Sequence, residues 1–291
     1  MKKYLISDIK PYVRYARYMT LDENADLPAV IPYDARLFYT FSGSGSIGIA
    51  GKTYEMKSGD LLLFNAGTEY QIYPPRDKVT YLILNFDYLW DHSYLCNPIP
   101  PVNKSSFNCE DIVERVSFQD AAELNTPIYL SGAFRLLEGL VDIEREFTQK
   151  VMMYETRISG MLSKLTVDVL RICRTQIFAE GQERLDEIVR YVHENYALSL
   201  TNVSIGERFG FHPNYISALI KKYTGMPLHK YLIYVRISRA AEILNGSSMS
   251  IGEISEKCGF CDIYYFSGYF KRYMGCSPLE YRKMNSGISA L

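Results

Sequence analysis

The sequence predicts an α+β multidomain chain: an N-terminal antiparallel β-barrel, a central helix pair and an all-α C-terminal region. Three observations carry this expectation. Up to about Asn97, short β-branched and aromatic runs alternate with glycine-bearing turns, the pattern of many short strands closing on one another. From about Ser131 the apolar residues recur every three or four positions, which is helical spacing. Beyond Gln182 the chain writes nearly the same helical phrase twice, once from Gly210 and once from Gly259.

Bulk properties bound the rest. A chain of 291 residues is long enough for two or three domains, each burying its own core. No apolar run reaches the length of a membrane span. The opening "MKKYLISDIK" has lysines without an apolar stretch behind them, so a signal peptide is not expected and a cytoplasmic location is. The cysteines at 96, 109, 173, 258, 261 and 276 are scattered as reduced thiols would be. Cys258 and Cys261 form a C-x-x-C with no second pair or nearby histidine to complete a zinc set, so two small packing thiols are expected. The net charge of −1 hides an asymmetry: from Gln182 onward there are 13 Lys+Arg against 10 Asp+Glu. That mild excess permits nucleic-acid binding where the basic groups cluster.

The expected boundaries lie at the changes of texture: 1–100 barrel, 101–180 connector and helix pair, 181–291 all-α region. Within the first, "RLFYTFSGSGSIGIAGKTYEMKSGDLLLFNAGTEYQIY" supplies the strands and turns and "KVTYLILNFDYLW" one further long strand. Alternation on that strand puts Tyr81, Ile83 and Asn85 on one face and Leu82, Leu84 and Phe86 on the other. "NPIPPVNKSSFN" is a proline-bearing connector. Ala133, Leu136, Leu140, Ile143 and Phe147 then form one apolar seam, and Val151, Ile158, Leu162, Leu165, Val169 and Ile172 continue it beyond a break near Lys150. Either both seams pack on the barrel, or at least one serves as a dimer interface. Their length favours the dimer.

The repeat is the most informative feature. Aligning Tyr215-Ile216-Ser217 with Tyr265-Phe266-Ser267 brings Lys221-Lys222 onto Lys271-Arg272, Gly225 onto Gly275 and Tyr231 onto Tyr281. Ile216, Leu219 and Ile220 against Phe266, Tyr269 and Phe270 make one buried face, which leaves the opposite face of each helix for a partner. Small residues at Gly206 and Ser255, four before the glycine of each "GF", allow close packing and a tight turn between two steeply set helices. That is the helix-turn-helix layout. A helix between the copies, Leu228–Leu244, would set the two second helices about one DNA turn apart. The competing reading is an all-helical protein-interaction module.

Residues 184–284, with "IGEISEKCGFCDIYYFSGYFKRYMGCSPLEYRK" in the second unit, resemble the DNA-binding domain of AraC/XylS-type transcriptional regulators. Residues 33–90 resemble more loosely the cupin-like effector-binding barrel of the sugar-responsive branch, and the helix pair sits where the family places its dimerisation helices. The resemblance implies a ligand-responsive, sequence-specific regulator, an activator by family habit. It implies operator DNA, a small-molecule effector such as a sugar, a second copy of the chain and RNA polymerase as partners, and no cofactor. It places base contacts on Asn214, Ser217 and Ala218 in the first unit and on Ile263, Tyr264, Tyr265 and Gly268 in the second. The long, often Arg, residue after the helix serine is absent from both copies, so the bidentate guanine contact is missing at Ala218 and Gly268. Reading would then rest on Asn214, Ser217, Tyr264 and Tyr265, with DNA shape. Lys221, Lys222, Arg236, Lys271 and Arg272 are expected on phosphates, where they supply affinity.

For the barrel, the resemblance assigns the effector pocket to Phe38, Thr40 and Ser42 with Tyr81 and Ile83, and Tyr70 would stack on a sugar ring. For each of these six, plain core is favoured over ligand contact. A metal site is not expected, because only His92 lies in the barrel region and cupin metal sites use several histidines. Two rivals stay open: a metal-free cupin enzyme such as an epimerase with a fused helical domain, and a constitutive DNA-binding protein whose barrel only scaffolds a dimer.

Overall fold

The computed structural model describes residues 2–25, 27–90, 99–112, 116–176 and 182–285. It divides into two compact units, Met1–Ala179 and Glu180–Leu291. The expected middle segment is therefore not a body of its own, because its helices pack on the strands that precede them.

Ten strands occur among the described residues of the first unit: β1 Lys2–Tyr4, β2 Tyr12–Leu21, β3 Ala35–Ser42, β4 Ser44–Ile49, β5 Lys52–Lys57, β6 Leu61–Phe64, β7 Tyr70–Tyr73, β8 Val79–Asp87, β9 Val116–Phe118 and β10 Ile128–Leu130. A five-stranded sheet has the order β10-β6-β3-β8-β2, a three-stranded sheet the order β5-β4-β7, and β1 pairs with β9. The expected barrel is thus built as two sheets with a shared core. Phe38, Leu62, Phe64, Tyr81 and Ile83 from the larger sheet meet Ile47, Ile49, Met56, Tyr70 and Ile72 from the smaller. The chain passes from one sheet to the other at Gly43, whose φ is +74° and where an added Cβ would lie 2.2 Å from the Lys78 carbonyl oxygen. Only glycine fits that crossing.

The "SGD" turn ties the strands to the segment that leads into the helices. Gly59, at φ +92°, lies against the ring of Phe134, 2.3 Å from where a Cβ would stand. Beside it the buried Asp60 carboxylate accepts hydrogen bonds from the Lys57 and Gly132 backbone amides and the Tyr129 hydroxyl, at 2.8–3.0 Å. Each such bond to a charged acceptor is stronger than a neutral one, and together they fix the β10 end on the β5–β6 turn.

Two helices complete this unit, α1 Leu137–Gln149 and α2 Tyr154–Gln176. They pack on each other and both contact β2. Here the structure chooses between the two uses of the apolar seams. Ala133, Leu136, Leu140, Ile143, Ile158, Leu162, Leu165, Val169 and Ile172 are all buried within a single chain, Leu140 at 0% exposure. Those seam residues are internal, whereas Phe147 is half-buried and Val151, at the break between the helices, is 55% exposed. The break between the helices carries Lys150 and Met153 in the left-handed region.

The second unit is helical: α3 Gln182–Glu194, α4 Asn202–Phe209, α5 Pro213–Thr224, α6 Leu228–Gly246, α7 Ile251–Lys257, α8 Ile263–Met274 and α9 Pro278–Asn285. Several starts and stops have a local cause. Thr201 caps α4 and Ser250 caps α7, each in a reciprocal box with the residue three later. Helices α5 and α8 are 12 residues each and end on left-handed Gly225 and Gly275. Helix α6 has apolar residues on every side, with Tyr231, Leu232, Ile233, Tyr234, Val235, Ile237, Ala240 and Leu244 all buried, and it contacts α5, α7, α8 and α9. At 19 residues it spans about 28 Å. It is the common core of both halves.

Candidate DNA interface and sensor site

The two copies of the phrase fold alike. In the first, α4 runs into the turn at Gly210, φ +73°, and α5 begins with His212 as cap and Pro213 in its first turn. In the second, α7 ends before Gly259, φ +79°, and Asp262 caps α8 by accepting the Tyr265 amide at 2.7 Å. The small residues before each turn have a more local reason than helix packing. A Cβ on Gly206 would stand 2.5 Å from the Phe211 carbonyl oxygen, and the Phe211 and Phe260 amides donate back to Gly206 and Ser255 at 2.9 and 3.0 Å. The small residue clears the turn's own backbone. Gly259 does the same for a longer-range contact, since a Cβ there would be 2.4 Å from the Ala197 carbonyl oxygen.

These constraints fix which face of each second helix looks outward. Ile216 and Ile220 in α5, and Phe266 and Phe270 in α8, are fully buried, whereas Leu219 and Tyr269 are not. Asn214, Lys221 and Lys222 are exposed on α5, with Ser217 and Ala218 near them along the same helix. On α8, Ile263, Tyr264, Tyr265, Lys271 and Arg272 are exposed. Tyr264 stands furthest out, at 84%. Nothing lies within 4 Å of where a Cβ of Gly268 would point. The helix N-terminal halves thus present amide, hydroxyl and aromatic groups, and the C-terminal halves present cations, where they also complement the helix dipole.

Arg236 departs from the expected phosphate role. Its Nε donates to the Tyr196 carbonyl at 2.7 Å and a terminal nitrogen donates to the Leu198 carbonyl at 2.9 Å. It also lies over the Phe260 ring, and burial lowers its pKa. Its task is to join α6 to the end of α3 and to the second turn. Tyr215, by contrast, is a surface residue that the sequence did not single out for DNA contact. It is 51% exposed on α5, and its alignment with Tyr265 was the signal that could have found it.

Tyr265 and Tyr269 stack edge-on with ring centroids 4.6 Å apart, and the Tyr265 hydroxyl donates to that of Tyr269 at 3.3 Å. Tyr269 in turn stacks on Tyr273, and Tyr273 is tilted against Tyr234 of α6. The ladder gives a surface tyrosine a defined orientation. Elsewhere in this unit the buried His193 ring shares a 2.7 Å hydrogen bond with the Tyr231 hydroxyl, and burial first, then Arg239, holds its pKa well below the usual value. Of the C-x-x-C pair, Cys258 is buried and Cys261 exposed, and burial pushes the Cys258 thiol up to about 12. Among the described residues no group of three or more His, Cys, Asp or Glu is placed to hold a metal ion. His92 lies outside the described residues.

Of the six residues expected at the effector pocket, four share one buried cluster. Phe38 and Tyr81 sit in the core between the sheets with Tyr70 and Ile83, and Phe38 stacks on Phe64 and tilts against Tyr70. Thr40 pairs across the strands with Tyr81, and Ser42 is half-buried at the strand end. The Thr40 and Tyr81 hydroxyls are buried without a hydrogen-bond partner. The Tyr81 hydroxyl fits only because residue 45 is glycine, where a Cβ would be 2.3 Å away. The same unit holds a charged group that no sequence pattern announced. Arg14 pairs with Asp87 and Arg36 with Asp34 at 2.7 Å, all four side chains nearly inaccessible to solvent. Burial pushes the Asp34 carboxyl up to about 6 against the pull of Arg36. Arg14 and Asp87 are distant in sequence, and no periodicity connects them.

A repeated pair of capped helix-turn-helix units on one central helix, preceded in the chain by a two-sheet domain, defines a class of DNA-binding protein with a separate sensor-type domain. Residues 205–284 match the family described as "Helix-turn-helix domain", and residues 31–98 the "AraC-like ligand binding domain". The uncharacterized HTH-type transcriptional regulator YpdC of Escherichia coli (strain K12) is 33% identical over 129 residues, 42% of this chain and 45% of that protein. The uncharacterized HTH-type transcriptional regulator YisR of Bacillus subtilis (strain 168) is 25% identical over 263 residues, 86% of each. The raffinose operon transcriptional regulatory protein RafR of Pediococcus pentosaceus is 28% identical over 135 residues, 45% of this chain and 49% of that protein. The match thus spans about half the length of YpdC and of RafR, and most of YisR. The chain thus carries two domains of the kind found in AraC-type helix-turn-helix transcriptional regulators.

Proposed function

We propose that this protein is a cytoplasmic, ligand-responsive regulator that reads a specific operator through α5 and α8 and activates genes of carbohydrate or related metabolite use. The observation that carries the reading is the double exposed face: two helices with matching caps, polar and aromatic groups at one end and two cations at the other. Base reading falls to Asn214, Ser217, Tyr264 and Tyr265, with Ala218, Ile263 and Gly268 offering apolar or close contact to thymine methyls. Tyr215 joins this set on its exposure. Lys221, Lys222, Lys271 and Arg272 hold phosphates. The name of RafR supports a sugar as effector, and the ligand-binding match over residues 31–98 supports a sensor role for the first unit. On this reading the protein acts as a homodimer and contacts RNA polymerase.

A footprint on the DNA flanking its own gene, with and without sugars, tests this. Protection of two segments one helical turn apart is expected. A chain that protects nothing at low salt, while fully folded, would overturn it.

A further inference from the structure

The two reading helices carry different chemistry at matching positions. On α5, Asn214, Ala218 and Lys222 follow one another at helical spacing along the exposed face; on α8 the same places hold Tyr264, Gly268 and Arg272. The Asn214 amide offers a donor and an acceptor together, the combination that matches adenine in the major groove. From Ile263 to Phe270, by contrast, no side chain is an amide, a carboxylate or a cation. Ile263, Tyr264 and Tyr265 are all exposed, so the first turn of α8 presents an aliphatic group and two rings.

Most polar groups beside that surface are engaged within the unit. The Asp262 carboxylate accepts the Tyr265 amide, and the Tyr265 hydroxyl donates to that of Tyr269. Ser267 is half-buried. The Tyr264 hydroxyl is the exception, and a phenylalanine in its place would separate ring from hydroxyl. Between Tyr264 and Arg272 a Cβ on Gly268 would meet nothing within 4 Å, so the helix backbone itself can approach a groove floor there. In a duplex the base faces are stacked on one another, and a ring in the major groove meets base edges. Of the groups those edges present, the thymine C5-methyl is the apolar one.

We infer that α8 reads its half of the operator through thymine C5-methyl groups, whereas α5 reads a hydrogen-bonding base edge through Asn214. The two units are then unlike readers, and the operator has a direction. The inference rests on the operator reading proposed above and adds the base chemistry that each helix selects.

The test begins with selection of duplexes from a random-sequence library by the full chain. Each thymine of the selected site is then replaced in turn by deoxyuridine, which removes only the methyl group. At one or more positions binding should weaken about four-fold, the value of one buried methyl. That loss should disappear in Tyr264→Ala or in Ile263→Ala, and should persist in Tyr264→Phe and in Asn214→Ala. At the same positions 5-methylcytosine should bind about four-fold better than cytosine, because the methyl is restored without thymine's hydrogen-bond pattern. A site in which deoxyuridine is tolerated everywhere, or whose losses are kept by both Tyr264→Ala and Ile263→Ala, overturns the inference while leaving the operator reading intact. Loss of the effect in Tyr264→Phe would assign the reading to the hydroxyl and overturn it equally. Loss of the effect in Asn214→Ala would overturn the division between the helices. A selection that enriches no sequence overturns the operator reading, and the inference with it.

Discussion

Tyr264 and Lys271 lie about two turns apart on α8, and their loss should show in different measurements. Lys271→Ala removes an exposed cation from the helix end. Binding should weaken on every DNA, and the slope of log K against log salt should shrink by about one unit. Tyr264→Ala removes a side chain that is 84% exposed, so folding should be untouched. On the operator it should cost about 1–3 kcal/mol and on random DNA little. A salt series on both DNAs separates the two; equal weakening of specific and random binding by Tyr264→Ala would mean that it does not read bases. At the same scale, His193 makes a pH prediction. Its folded pKa lies well below 6.5, so the unfolded chain takes up a proton first as pH falls. Its contribution to stability is complete above about pH 6.5 and is lost below it, by about 1 kcal/mol per pH unit until the folded ring titrates. Urea melts of the second unit between pH 7.5 and 5 should show this slope, and a flattened His193→Gln profile would confirm its source.

Among the elements, the two turns and the reading helices predict opposite responses to one substitution. Gly259→Ala forces a Cβ into the left-handed region and onto the Ala197 carbonyl oxygen. It should destabilise the second unit by at least about 1–2 kcal/mol. Gly268→Ala meets open space in mid-helix and should stabilise the same unit by about 0.5–1 kcal/mol. Denaturant melts of the two variants decide this. If Gly268→Ala is destabilising, the α8 face around it is not open. Gly268→Ala should nonetheless change operator affinity if the helix approaches the groove closely there.

At the scale of the whole molecule, two units with their own cores should behave independently. Residues 182–291 alone should fold and bind DNA, because Ile216, Phe266, Tyr231 and Tyr281 close a core without help from the first unit. Leu140→Asp in the full chain should report on folding rather than on self-association. Leu140 is fully buried inside one chain, so the charge should cost several kcal/mol in the first unit's melting while the second unit's transition stays in place. Calorimetry of the full chain and the fragment checks both. A single transition shifted as one would show that the two units are not independent.

Much of this architecture was legible in the sequence because it is encoded locally. Turn glycines, N-caps, the spacing of Ile216 and Ile220, and the aligned cations all depend on neighbours within a few residues. A motif written twice also exposes which positions are buried and which face outward. What only the tertiary structure decided are pairings between distant residues. The seam of Leu140 and Leu165 looks the same whether its partner is a second copy or the chain's own sheet, since an apolar stripe specifies burial but not what buries it. Arg236 looks like any exposed cation until the Tyr196 and Leu198 carbonyls close on it. Phe38, Tyr70 and Tyr81 suit an inward face, yet strand alternation cannot say whether that inside is hollow or filled. Phe38, Tyr70 and Tyr81 meet there in one cluster, and a hollow lined by connector residues with Phe86 and Asn65 lies elsewhere in the unit, a meeting that no sequence spacing records.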